Sequence, residues 1–199
     1  MFENCKYQPK LHRIYRAYSQ WVIAFADYVN QTKEMRATYN EIALTRATKD
    51  ARARLAEHTS SAVNEITAAG LEMQREISST WMLNPLSYDE KAVAMWSSPY
   101  IKPTAEDLEH AAEKYEKNAT MLSVLHEIAE QRGLLPEISV GSPLYYASRA
   151  KKLDAAASLT REVAALCNTD DPVLLASRQS FADNFERFEE SKLKVIGLI

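Results

Sequence analysis

The sequence predicts an all-α fold, and three features carry that prediction. Proline is absent from Lys10 to Asn84, a span with one glycine, Gly70. Apolar residues recur at steps of three and four, the spacing of one helix face. No stretch alternates apolar and polar residues for long enough to read as a strand. Of 199 residues, 46% are hydrophobic and 26% charged, which suits a packed core and excludes a disordered or collagen-like chain. The 4 glycines and 7 prolines are too few for the glycine-rich loops of a nucleotide-binding sheet.

The first element is a long helical arm over residues 1–84, helical from about residue 10. As a single helix its 74 residues would reach about 110 Å at ~1.5 Å each. Ile14, Tyr18, Trp21, Phe25, Tyr28, Thr32, Met35, Tyr39 and Ile42 alternate steps of four and three, which is a heptad seam. The seam fails after Ile42, where Arg46 and Lys49 follow. A second series, Leu44, Leu55, Ile66 and Ile77, then repeats every eleven residues, with Ala51, Ala62 and Met73 in a parallel row. The segment is either one helix whose seam changes pitch or two helices meeting near residues 42–50. Its length favours one.

A C-terminal helical bundle is expected over residues 85–199. Asn84-Pro85 breaks the arm, and Ser87-x-x-Glu90 has the form of a capping box opening a short helix to about Trp96. Ser98 to Pro103 reads as an extended connector. Thr104 caps a helix reaching Arg132, with Leu108, Ala111, Tyr115, Leu122, Leu125 and Ala129 on its apolar face, a break near Asn118 and Gly133 as its stop. Ser142-Pro143 opens a helix to Cys167 with Ala150, Leu153, Ala157, Ala164 and Cys167 as its stripe. Asp171-Pro172 opens the last one, which carries Leu174, Phe181, Phe185 and Phe188, and the chain closes on an apolar run from Ile196 to Ile199.

The net charge of −3 hides an asymmetry. Residues 1–54 carry ten basic and five acidic side chains, a balance of +5 that leaves −8 for the rest. Lys6, Lys10, Arg13 and Arg16 interleave with Tyr7, Tyr15 and Tyr18, a mix that suits contact with a polyanion. No helix-turn-helix or zinc-finger pattern accompanies it, so nucleic acid is not the favoured partner. The most apolar stretch, Ala17 to Val29, contains Ser19, Gln20 and Asp27 and falls short of the ~20 residues a membrane span needs. Residues 1–16 lack the apolar run of a secretory leader. A cytoplasmic address is expected, in a host cell or a virion if the chain is viral, without a membrane partner.

Chemistry finds little support. Cys5 and Cys167 match no metal or redox spacing and read as reduced thiols. Among His12, His58, His110 and His126, only His110 sits near carboxylates at helical spacing, in Asp107-x-x-His110 and with Glu106 and Glu113. A di-iron bundle needs two such pairs. No nucleophile elbow or phosphate loop occurs. No cofactor and no metal is expected, and no enzymatic activity.

One passage, Ala112-Glu113-Lys114-Tyr115-Glu116-Lys117-Asn118-Ala119-Thr120-Met121-Leu122-Ser123-Val124-Leu125, resembles text in small helical proteins from the structural gene cassettes of tailed phages and prophages of Gram-positive bacteria. The likeness covers about 25 residues, within 105–130. It implies a role in virion assembly or host interaction, with virion or host proteins as partners and no catalytic residues.

The sequence thus points to a non-enzymatic structural or assembly protein that forms a homo-oligomer through its N-terminal arm. Ile14, Tyr18, Trp21, Phe25, Tyr28, Met35, Tyr39, Ile42, Leu44, Leu55, Ile66 and Ile77 are the expected self-association seam. An apolar face of this size needs a cover. That cover is another copy or the chain's own C-terminal helices. The alternative is a monomeric protein- or nucleic-acid-binding module that uses the basic arm.

Overall fold

A computed structural model describes residues 7–197. Cys5, Lys6, Leu198 and Ile199 lie outside the described residues. The described chain is all-α, without a strand.

The expected single arm is two helices, α1 (Gln8–Thr38) and α2 (Glu41–Thr80). The chain reverses at Tyr39, whose backbone is extended, and Asn40, whose side chain accepts the Ala43 N–H at 3.0 Å. Asparagine is a strong N-cap, and this cap lies just before the 42–50 window. Neither proline nor glycine marks the reversal, which is why the sequence reads as continuous. Pro9 sits in the first turn of α1, where its missing N–H costs nothing.

The two helices lie antiparallel. Trp21 Nε1 donates to Thr59 Oγ1 at 3.0 Å, and Arg13 Nε to Glu65 Oε1 at 2.8 Å. The eleven-residue series does face the core. Ala51, Leu55, Ala62, Ile66, Met73 and Ile77 are all buried.

Two more helical segments close the bundle. Helix α6 (Arg149–Leu166) runs antiparallel to α2, with Arg149 at Ser78 and Thr160 against Gly70. The last segment is α7 (Leu175–Asp183), α8 (Phe185–Phe188) and α9 (Glu190–Gly197). It returns antiparallel to α1. Tyr18 OH donates to the Arg178 carbonyl at 3.2 Å, and the Tyr15 and Phe185 rings meet edge-on at 5.6 Å. Helix α9 lies on α6, where Lys192 pairs with Glu162 at 2.6 Å. The four segments form an up-down-up-down bundle. Residue 84 lies just past α2, and helices from both sides of it share one core.

The C-terminal elements differ from the sequence in detail. The short helix α3 (Glu90–Ser97) is capped by Asp89, which accepts the Ala92 N–H, and not by Ser87. Thr104 and Asp107 form the capping box of α4 (Ala105–Lys114). The chain breaks at Asn118 before α5 (Ala119–Gln131), and Gly133 has φ +71°, the left-handed residue past the helix end. Helix α6 begins at the Ser148 cap, five residues after Pro143. Its buried stripe is Lys152, Ala156, Leu159, Thr160, Val163 and Cys167, rotated from the expected alanine face. Lys152 explains the rotation. Its stem is buried while Nζ donates to the Val195 carbonyl at 2.9 Å and lies 4.9 Å from the Trp81 ring centre, so a residue counted as polar faces inward. The expected single last helix breaks at Asn184, whose side-chain amide donates back to the Ser180 carbonyl.

Candidate docking site

Helices α3, α4 and α5 are inserted between α2 and α6, at the C-terminal end of α2. A small set of polar contacts holds them. Tyr115 OH donates to Asp89 Oδ2 at 2.6 Å, and Asn118 Nδ2 to the Ser87 carbonyl at 2.7 Å. Thr120 Oγ1 accepts the Asn84 N–H at 3.0 Å, and Arg132 donates to the Ser98 carbonyl at 2.9 Å. Tyr115, Asn118 and Thr120 all belong to the passage that resembles phage proteins. In this fold they clasp residues 84–89 onto α4 and α5.

The clasp shapes a cleft of about 720 Å³ between α3 and α4. Ala92, Met95, Trp96, Ala111 and Tyr115 form its apolar part, and Glu106, Asp107, His110, Glu113 and Lys114 its rim. Asp107 is engaged by Thr104, whose N–H and hydroxyl hold its carboxyl below the usual range. Glu106 and Glu113 are exposed, and Glu113 Oε2 lies 3.3 Å from His110 Nδ1 on the same rim. The chain on either side of α3 is unusually apolar. Met82, Leu83, Leu86, Tyr88, Met95, Tyr100 and Ile101 are seven of the fifteen exposed large apolar side chains among the described residues. Residues 82–101 thus leave seven large apolar side chains in solvent.

Asp89 is the electrostatic anchor of the clasp. The Tyr115 hydroxyl, then the Ala92 N–H, hold its carboxyl below the ordinary 3.8. A carboxylate with a lowered folded-state pKa stabilises the fold above its ordinary pKa, and that contribution is lost as pH falls through the lowered value. Tyr115→Phe is expected to move the Asp89 pKa up toward 3.8, read by NMR titration of the carboxyl carbon, and to bring acid unfolding to higher pH. An unmoved Asp89 would remove the tyrosine as the cause.

The seam residues lie elsewhere. Ile14, Tyr18, Trp21, Phe25, Tyr28, Leu55, Ile66 and Ile77 are buried within one chain, and Met35 and Leu44 are half-buried. Helices α1 and α2 cover each other, and α6 and α7 complete the cover, so this face does not remain for a second copy. Tyr39 and Ile42 are the exceptions, at 49% and 86% exposure on the α1–α2 turn.

The basic arm is also occupied in part. Lys10 pairs with Glu76, and Arg13 with Glu65 and Glu72. These acids lie on α2, so the two cations neutralise the chain's own carboxylates and are not presented to a polyanion. Arg16 is exposed, and Lys6 lies outside the described residues.

Cys167 and His126 are buried. Burial pushes the Cys167 thiol up to about 12, so it is protonated at neutral pH. Burial lowers the His126 pKa, and its Nδ1–H donates to the Leu144 carbonyl at 2.9 Å. No group of three or more His, Cys, Asp or Glu side chains among the described residues is placed to hold a metal. Among the described residues, no helix is long and apolar enough to cross a membrane. A second cleft, of about 490 Å³, lies along the α1–α2 groove and is lined mainly by small and polar side chains.

No known protein family, curated protein or solved structure matches the chain.

The sequence did not reveal the α3–α4 cleft, because it is made by a turn-mediated approach of two short helices. One signal was present. Residues 82–101 hold Met82, Leu83, Leu86, Tyr88, Met95, Tyr100 and Ile101 with two prolines, which is too apolar for an ordinary connector.

Proposed function

We propose that the protein is a non-enzymatic docking module whose α3–α4 cleft takes a partner segment that is both apolar and basic. The observation that carries this reading is the pairing of an apolar floor, Met95 and Trp96, with the exposed carboxylates Glu106 and Glu113. A cleft of this volume with few convergent charged groups has the make-up of a recognition site. Aromatic and methionine side chains supply most of the contact energy at such sites, and rim charges supply orientation and encounter rate. An assembly role of the kind implied by the phage resemblance would use such a surface. The module would then bind another component of a particle or a host protein.

The test is a titration with a synthetic amphipathic helix of leucine and lysine, followed by the chain's tryptophan fluorescence. Saturable binding is expected, weakening as salt rises. Glu106→Lys with Glu113→Lys should weaken it about tenfold or more, a loss of ~1.4 kcal/mol, with helix content unchanged. No saturable binding, or equal binding by the variant, would reject the cleft as the site.

A further inference from the structure

We infer that the segment this cleft accepts is the α1–α2 turn of a second copy of the same chain, so that copies associate end to end. The inference rests on the docking reading above and names its occupant.

The α1–α2 turn is a second exposed apolar surface among the described residues. Ile42 is 86% exposed, and Arg46 and Lys49 follow it at i+4 and i+7 on the same face of α2. Lys33 and Arg36 are exposed on the last turns of α1. None of these four cations forms an ion pair among the described residues. Residues 33–54 hold six basic and three acidic side chains, a balance of +3. Residues 89–117, which build the cleft, hold four basic and seven acidic ones, a balance of −3. An apolar knob flanked by cations therefore matches an apolar cleft whose rim carries three carboxylates, Glu106, Asp107 and Glu113, beside His110 and Lys114.

The two surfaces cannot meet within one chain. They lie at opposite ends of α2, whose 40 residues span about 60 Å at ~1.5 Å each. Joining them needs a second copy, and each copy still presents one free knob and one free cleft. Such a contact is heterologous and propagates into a ring or filament.

The experiment is light scattering on the full chain and on two variants, alone and mixed. Ile42→Ser with Arg46→Ser disables the knob, and Glu106→Lys with Glu113→Lys disables the cleft. All four sites are exposed, so folding should be retained and circular dichroism checks it. The parent chain is expected to grow beyond two copies as concentration rises, more at low salt. Each variant alone should stay at 22.5 kDa. Their mixture should form a heterodimer and stop there, because one knob and one cleft remain intact. A parent chain that stays monomeric at every concentration overturns the inference, as does a mixture that does not associate. The leucine–lysine peptide separates the two failures. If it still binds the parent and not the cleft variant, docking stands and only the occupant is wrong; if it binds neither, both fall.

Discussion

Trp21→Ala is expected to lower the stability of the single chain by about 3–5 kcal/mol, the range for truncating a buried aromatic. Trp21 is 1% exposed and its ring stacks on Phe25 with centres 5.1 Å apart. Its indole N–H also binds Thr59, so the variant leaves a cavity and an unpaired hydroxyl between α1 and α2. Against a total of roughly 5–15 kcal/mol for a domain, this is a large share. The loss should appear as a lower denaturant midpoint that does not change with protein concentration. A variant that keeps its midpoint but loses mass would place Trp21 between copies.

Gly70→Ala should destabilise as well, against the ordinary preference for alanine in a helix. An added Cβ would sit 2.2 Å from Thr160 Oγ1, 2.3 Å from its Cγ2 and 2.8 Å from its Cβ. Thr160 cannot easily rotate away, because it is buried and its hydroxyl donates to the Ala156 carbonyl at 2.7 Å. Overpacking costs about 1–3 kcal/mol, against a gain of ~1 kcal/mol in helix propensity. The net is a loss, and helices α2 and α6 must part. Thr160→Ala in the same chain removes the two nearest atoms but keeps the Cβ at 2.8 Å, so it should restore part of the stability. Thermal unfolding of the single and double variants reads this directly. A Gly70→Ala chain more stable than the parent would mean that α2 and α6 do not meet there.

Much of the fold is legible in local patterns. The heptad from Ile14 to Tyr28 and the eleven-residue series from Ala51 to Ile77 do face a core. The Thr104 cap, the Asn118 break and the Gly133 stop are set by side chains within a few residues, so sequence spacing finds them. The Asn40 reversal is the main error. A capping asparagine can turn a chain without glycine or proline, and an unbroken apolar seam conceals it. The same turn decides which of the two covers the seam has: with α1 and α2 folded back on each other, helices of the same chain bury Ile14 to Tyr28. Lys152 is a second case. A lysine that buries its stem under Trp81 defeats any count that treats charge as exposure. The α3–α4 cleft depends on Tyr115 reaching Asp89, 26 residues away, and no periodicity reports such a contact.

The proposed function follows from what the bundle leaves over. Once α1, α2, α6 and the α7–α9 segment have covered one another, the large apolar groups still in solvent concentrate near α3. Tyr39 and Ile42, on the α1–α2 turn, are at the other pole.

The central claim is that the heptad seam is covered by its own chain, and amide hydrogen exchange at high and low protein concentration tests it most directly. Amides of residues 14–28 should be protected to the same degree at both concentrations, with faster exchange only near Tyr39 and Asn40. Protection over 14–28 that falls on dilution would show that the seam is covered by another copy, and would contradict the closed bundle.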